Sequence, residues 1–186
     1  MAPDPSNRVS GDARAIALGQ RLFADRRLSS QKHLACLDCH HPENQFADAI
    51  ALNRGLQPLT RHTLSLQNSR WQTWFGWSGG SDSLWMQSIR PILSPAEMNM
   101  GPGVLAARIL ADAALSQQME AVFDLTLKDQ NSEQILVLIG KLLAAYQETL
   151  ITPRSPFDEF RDAVLARDDA AAATYPKAAI RGFKLF

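Results

Sequence analysis

The sequence predicts an all-α fold with long ordered loops and few or no strands. Two observations carry this prediction. Several stretches place apolar residues three and four positions apart, and no stretch alternates apolar with polar residues long enough to form a convincing strand. Composition agrees, because 46% hydrophobic and 20% charged residues in a chain of 186 are typical of a globular protein that can bury a core.

The N-terminal part of the chain divides into an arm, a helix and a loop. Residues 1–10 contain proline and serine without periodicity and predict a flexible arm. Ala13–Phe23 has helical spacing, and Gly11 and Asp12 are available to begin that helix. No period is sustained from Gln45 to Gly80, which predicts a long ordered loop of the kind that carries function. We expect several of the four tryptophans in and near this loop to belong to the core.

The remainder of the chain is predicted to be helical. The expected helices are Ser83–Ile89, Gly103–Ala113, Ser116–Phe123, Ser132–Leu150, Phe157–Arg167 and Lys177–Phe186. The Ser132–Leu150 segment has the clearest signature, because Asn131 and Gln134 can form a capping box before an amphipathic run. Pro156 suits a first helical turn.

A short internal echo predicts the domain organisation. Gly19-Gln20-Arg21-Leu22-Phe23 returns as Gly182-Phe183-Lys184-Leu185-Phe186 at the end of the chain. The first copy precedes a pair of cysteines. We therefore expect one domain over residues 11–175, and residues 176–186 to begin a second domain that is missing, so that the chain is the front part of a longer protein.

Charge excludes some classes of partner. The chain has 19 Lys+Arg against 19 Asp+Glu, so there is no basic excess to bind nucleic acid or anionic membranes. No apolar stretch predicts a membrane span, and the first residues lack the apolar core of a secretory signal.

The strongest chemical signal is Cys36-Leu37-Asp38-Cys39-His40, which is the C-x-x-C-H pattern of covalent haem attachment. On a helical turn the first, fourth and fifth positions share a face. Both thiols could then bond the porphyrin while the imidazole of His40 binds the iron. The alternatives are a reactive dithiol, or a zinc site formed by the two cysteines with two of His33, His40, His41 and His62.

Two other sets of residues could serve such a site. Arg61 and His62 are candidates to meet the haem propionates, although solvent-exposed charges would look the same in the sequence. Glu97 could move a proton beside an open haem face. The competing interpretation is a helix start, with Ser94 as the N-cap, Pro95 at the first position and Glu97 closing a capping box.

Over almost its whole length the sequence resembles the N-terminal half of bacterial di-haem cytochrome c peroxidases and the related methylamine-utilisation di-haem enzymes. The matching segments are Gly19–Phe23, Cys36–His40, Arg61–Asn68, Trp77–Gln87, Pro91, Glu97–Asn99, Leu150–Pro153 and Pro156–Asp158. The resemblance implies cytochrome-c-like helical domains. In that family the N-terminal haem reacts with peroxide, and a second haem supplies electrons from an outside donor.

The resemblance also implies residue roles. Glu97 and Gln87 match the acid/base carboxylate and its neighbouring amide, and Pro91 lines the same pocket. Trp77 matches the tryptophan between the two haems. Residues 53–55 stand where classical peroxidases place a distal histidine, so we expect a five-coordinate haem. His62 replaces an asparagine that helps to bind calcium, which makes calcium doubtful.

Together these observations predict a haem c-dependent peroxidase domain with one covalently attached haem, and a second haem in the missing part. The expected partners are hydrogen peroxide and a small cytochrome c or cupredoxin as electron donor, with a homodimer as one possible assembly and the periplasm as the location. Two alternatives stay open. One is a di-haem enzyme that oxidises a protein, and the other is a non-enzymatic electron carrier with Met98 or Met100 as second axial ligand.

Overall fold

The computed structural model describes residues 4–185. Within that range the chain forms helices α1 (Ala13–Phe23), α2 (Leu84–Leu93), α3 (Pro102–Leu110), α4 (Ala113–Phe123), α5 (Ser132–Gln147), α6 (Pro156–Ala166), α7 (Asp169–Ala172) and α8 (Lys177–Phe183). The described residues contain isolated β-bridges but no strand. The predicted all-α class with long loops is confirmed.

Side-chain caps fix where several helices begin. Asp12 accepts hydrogen bonds from the backbone N–H groups of Arg14 and Ala15 and so starts α1. Asn131 and Gln134 form the predicted capping box at α5, with N–H to oxygen distances of 2.9 and 2.8 Å. Asp112 accepts from Leu115 N–H and starts α4 three residues earlier than the periodicity predicted.

Helix α5 is the centre of the core and packs against α1, α2 and α3. Two glycines permit the closest approaches. A Cβ at Gly19 of α1 would lie 2.0 Å from the carbonyl oxygen of Leu142, and a Cβ at Gly140 would lie 2.8 Å from that of Trp85. The backbones of these helices are therefore nearly in contact, which leaves α2 and α5 side by side.

The chain divides into two compact units, one ending at Ile151 and the other beginning at Thr152. The second unit carries an aromatic cluster in which Phe160 stacks on Tyr175 with ring centroids 4.7 Å apart, and Phe157 contacts Phe183 at 5.6 Å. This division falls before α6, whereas the sequence placed a boundary at residues 175 and 176. Phe186, the last residue of the repeated pentapeptide, lies outside the described residues.

Residues 4–10 do not form the flexible arm that the sequence predicted. Asn7 donates through Nδ2 to the carbonyl of Lys141 at 3.0 Å, and Arg8 donates to the carbonyl of Phe123. Val9 is buried in the core, and Trp85 Nε1 donates to Ser6 Oγ at 2.8 Å. Local periodicity could not reveal this, because each contact is made with a distant helix. Residues 1–3 lie outside the described residues.

Other helix limits also differ from prediction. α2 runs to Leu93 and includes Pro91, which forgoes one backbone hydrogen bond. α5 and α8 end at Gln147 and Phe183, earlier than predicted, and α7 was not predicted. No helix among residues 4–185 has the length and apolar character needed to cross a membrane.

Candidate functional site

The Cys-x-x-Cys-His motif folds as a tight 3₁₀ turn over Cys36–Asp38. The N–H groups of Cys39 and His40 both donate to the carbonyl of Cys36, at 3.2 and 2.8 Å. Asp38 closes the turn by accepting from Ala35 N–H at 2.8 Å. Both cysteines and His40 consequently line the same cavity.

The imidazole of His40 is oriented by a backbone carbonyl. Its Nδ1 lies 2.7 Å from the carbonyl oxygen of Phe46. A carbonyl only accepts, so Nδ1 carries the proton and Nε2 keeps its lone pair for a metal. Gln45 and Phe46 both have positive φ, which turns that carbonyl toward the ring. Burial lowers the pKa of His40 and favours the neutral imidazole that binds iron.

The two thiols lack the properties of a reactive pair. Burial, followed by the neighbouring Cys39, raises the pKa of Cys36 to about 12. Burial also raises the pKa of Cys39. Reactive dithiols depend on lowered pKa values, so the dithiol interpretation is disfavoured.

The zinc interpretation fails on geometry. Among residues 4–185 no three His, Cys, Asp or Glu side chains come together as a group that could hold a metal ion. His33 is exposed, and His41 lies beside Glu43 with its Nδ1 3.7 Å from a carboxylate oxygen.

The cavity has a volume of about 480 Å³, within the usual range of roughly 300–1,000 Å³ for cofactor pockets. Its lining includes Phe23 of α1 and Leu143 and Gln147 of α5. The ring of Phe23 lies 6.1 Å from that of His40. Cys36, Cys39 and the neutral imidazole of His40 all line this cavity, so the residues present fit haem c.

Glu97, Gln87 and Pro91 line the same cavity. The competing interpretation, a helix start at Ser94, is wrong: residues 94–97 form a turn in which Glu97 N–H donates to the Ser94 carbonyl at 3.1 Å. Tertiary contact overrides the local capping signal there, because Glu97 and Ala96 accept backbone hydrogen bonds from Leu56 and Gln57. Glu97 is therefore not a helix cap.

Arg61, His62 and Trp77 lie together on the cavity wall. The guanidinium of Arg61 is 5.9 Å from the ring centroid of Trp77, and Trp77 Nε1 donates to the His62 carbonyl at 2.8 Å. His62 Nδ1 is 3.7 Å from Asp48, whose side chain is only 4% exposed. Trp77 is 52% exposed, and Trp71 and Trp74 are exposed as well, so these three tryptophans are not the core residues that we expected.

The two methionines considered as axial ligands occupy different places. Met98 is buried and lines the cavity. Met100 is 2% exposed and belongs to the hydrophobic core outside the cavity lining. Asn53, in the loop expected to lack a distal histidine, also lines the cavity and donates through Nδ2 to Thr63 Oγ1 at 2.5 Å.

Sequence reasoning missed several cavity residues. Phe23 lay in the noticed pentapeptide, but no role was assigned to it. Gln147 carried no motif, although it is buried and bonds Ser88 Oγ at 2.8 Å. Arg90 also lines the cavity, and it contacts the predicted Gln87 through Ser81, which lies behind the lining; neither gave a separate signal.

Helices around a cavity with a Cys-x-x-Cys-His turn on its wall are the combination found in helical c-type haem proteins. The chain belongs to the di-haem cytochrome c peroxidase family, whose model matches residues 13–164. This confirms the family that the sequence motifs indicated.

Individual relatives agree with the family assignment. The chain is 34% identical to "Methylamine utilization protein MauG" of Methylorubrum extorquens over 92% of its own length and 46% of that protein. It is 30% identical to "Cytochrome-c peroxidase IdrP2" of Denitromonas iodatirespirans over 95% of the chain and 46% of the relative. The chain thus spans about half the length of the curated relatives it matches.

Solved structures share the fold. A MauG-like protein associated with microbial copper homeostasis superposes with a TM-score of 0.77 at 24% identity, covering 100% of this chain and 52% of the other. The diheme peroxidase BthA of Burkholderia thailandensis gives 0.71 at 24% identity, with 100% and 47% covered.

Proposed function

We propose that this chain is the peroxide-reacting haem c unit of a di-haem peroxidase. The observation that carries the proposal is a single cavity with the haem-attachment turn, Glu97 and Gln87 all on its walls. Family membership supports it, as do relatives named cytochrome-c peroxidases. Reduction of hydrogen peroxide to two water molecules takes up two electrons and two protons, the electrons coming from a donor protein.

Haem c, bound through Cys36, Cys39 and His40, supplies the redox-active iron for this reaction. The chain's own residues provide the rest. The Phe46 carbonyl holds His40 in the tautomer that leaves Nε2 free for the iron. Arg61 offers a cationic group for the haem propionates.

Glu97 handles the proton. Its carboxylate accepts a proton from one peroxide oxygen and returns it to the other, so that the departing oxygen leaves as water rather than hydroxide. Gln87 and Pro91 shape the space beside it. Trp77, which lines the cavity and is half exposed, is the residue that would pass electrons into this unit.

The wider setting follows the relatives and is proposed on that basis. We propose a small cytochrome c or a cupredoxin as the electron donor and the periplasm as the location, since covalent haem attachment in such bacterial families takes place there. A homodimer is the proposed assembly. We propose that this loop would supply no second histidine to the haem, because Asn53 lines the cavity there, and a low-spin bis-histidine spectrum of the ferric protein would contradict this.

The first experiment is an intact mass measurement under denaturing conditions, on protein produced together with a haem-attachment system. Only covalently bound haem survives unfolding, so a gain of one haem is expected, and the variant Cys36→Ala/Cys39→Ala should show no gain. Peroxide is then titrated against the holoprotein while its absorption spectrum is followed. An unmodified mass, with a control cytochrome modified in parallel, would overturn the proposal.

A further inference from the structure

Gln87 of α2 lines the cavity, and its amide contacts residues outside the lining. The Ser81 hydroxyl lies 3.2 Å from Gln87 Oε1, and Ser81 is only 2% exposed. Gly76, at φ +78°, brings its backbone so close that a Cβ there would lie 3.1 Å from the same oxygen. One end of the amide is thus fixed against the protein wall.

Arg90, one turn further along α2, contacts Ser81 from the other side. Its Nη1 donates to Ser81 Oγ at 3.4 Å. The guanidinium lies directly over Gly80, where a Cβ would be 2.2 Å from Nη1. Arginine reaches Ser81 only because residue 80 has no side chain.

This order of contacts decides which end of the amide faces the wall. A guanidinium only donates, so Ser81 Oγ acts as acceptor toward Arg90. The same hydroxyl donates its single hydrogen to Gln87 Oε1. In this arrangement Gln87 Oε1 faces Ser81, and Nε2 is the opposite end of the amide. Among residues 4–185, Gln87 Nε2 has no hydrogen-bond partner.

We propose that Arg90 and Ser81 are positioning residues that hold Gln87 with its N–H donors toward the ligand in the cavity. The inference rests on the proposed function, because that ligand is the one bound to haem iron. It gives the cavity two complementary groups: the Glu97 carboxylate accepts a proton, and the Gln87 amide donates hydrogen bonds to an oxygen or anion.

Fluoride binding to the ferric holoprotein tests this directly, because fluoride is a small anion that binds ferric haem and accepts hydrogen bonds. Ser81→Ala frees the amide to rotate and should weaken fluoride binding roughly 3–10-fold, the equivalent of one neutral hydrogen bond. Gly80→Ala should act in the same direction, since its methyl group displaces the flexible end of Arg90 while the charge is retained.

Ser83→Ala is the matched control. Ser83 is also a buried serine at the start of α2, and its Oγ has no hydrogen-bond partner among the described residues. This variant should bind fluoride as the wild type does. Wild-type affinity in both Ser81→Ala and Gly80→Ala would overturn the proposal.

A double-mutant cycle separates positioning from a general structural effect. If Ser81 acts through Gln87, Ser81→Ala should change fluoride affinity little in a Gln87→Leu background. An equal loss in both backgrounds would show that Ser81 does not act through the amide, and would overturn the proposal. Peroxide reactivity is measured separately: a holoprotein inert to peroxide that keeps the Ser81-dependent fluoride affinity would refute the proposed function and leave the positioning role standing.

Discussion

Glu97 is the residue whose replacement tests the proposed chemistry most sharply. Glu97→Gln keeps the size of the side chain but removes its ability to accept a proton. We expect peroxide to react roughly 10²–10⁴-fold more slowly with the holoprotein, as for the loss of a general acid/base. Stopped-flow absorbance would measure the rate.

Glu43→Gln is the control for this substitution. Glu43 has a carboxylate that is 71% exposed and lies outside the cavity lining, so the reaction rate should be unchanged. If both variants reacted as fast as the wild type, Glu97 would have no acid/base role.

Glu148 is a buried carboxyl group for which pH should matter. Burial raises its pKa, opposed by the hydrogen bond from the Ser10 hydroxyl and by Arg70, and supported by Asp4. Because the pKa of Glu148 is higher in the folded than in the unfolded protein, its contribution to the free energy of unfolding is full below the ordinary glutamate pKa. That contribution is lost as the pH rises through the pKa of the folded protein. Glu148→Gln should therefore gain stability relative to wild type as pH increases from 4 to 8, in urea unfolding at each pH.

The sequence alone pointed to individual site residues only where they belong to a recognisable motif. Cys36, Cys39 and His40 follow from spacing, and Glu97 and Gln87 follow from resemblance to a family. Ser81 and Arg90 could not be found in this way. Their proposed positioning role depends on the space that Gly80 leaves for the Arg90 guanidinium and on the direction of the hydrogen bond from Arg90 to Ser81.

Two glycines of the repeated pentapeptide allow a matched test at the level of helices. Gly19→Ala places a methyl group 2.0 Å from the Leu142 carbonyl and should push α1 away from α5. We expect a loss of roughly 1–3 kcal/mol in the free energy of unfolding, despite the better helix propensity of alanine. Chemical denaturation would measure it.

Gly182→Ala is the corresponding change in α8, where nothing lies within 4 Å of the new methyl group. Stability should stay the same or rise slightly. Equal effects of the two substitutions would contradict the close helix contact.

Helix positions were predictable to the extent that they depend on apolar spacing and caps. The start and end of α1 matched at Ala13 and Phe23, and the capping box of α5 formed as expected. No helix begins at Ser94, because the backbone carbonyls of residues 96 and 97 accept hydrogen bonds from the distant loop at residues 56 and 57. A local capping signal carries no information about that competition.

For the whole molecule, haem attachment should stabilise the fold. The cavity separates the long loop from α2 and α5, so a group that fills it ties these parts together. We expect the holoprotein to melt roughly 4–8 °C higher than the Cys36→Ala/Cys39→Ala variant, which corresponds to about 2 kcal/mol for a chain of this size. Calorimetry would show it, and equal melting temperatures would mean that the cavity is not the haem site.

The cavity itself could not be derived from sequence patterns. Its walls come from α1, the long loop, α2 and α5, and only the packed structure shows that Phe23, His40, Gln87 and Gln147 share one space. The Cys-x-x-Cys-His motif predicted the residues that would hold haem, and the family resemblance pointed to Glu97 and Gln87.

The contact between α1 and α5 also sets an order of events during synthesis. Gly19 of α1 packs against the backbone of Leu142 in α5, so the first helix cannot reach its place until α5 has been made. The turn with Cys36 and Cys39 emerges long before that, while the core around it is still incomplete. Its thiols are therefore exposed before folding raises their pKa values and encloses them, which is the interval that the proposed haem attachment would require.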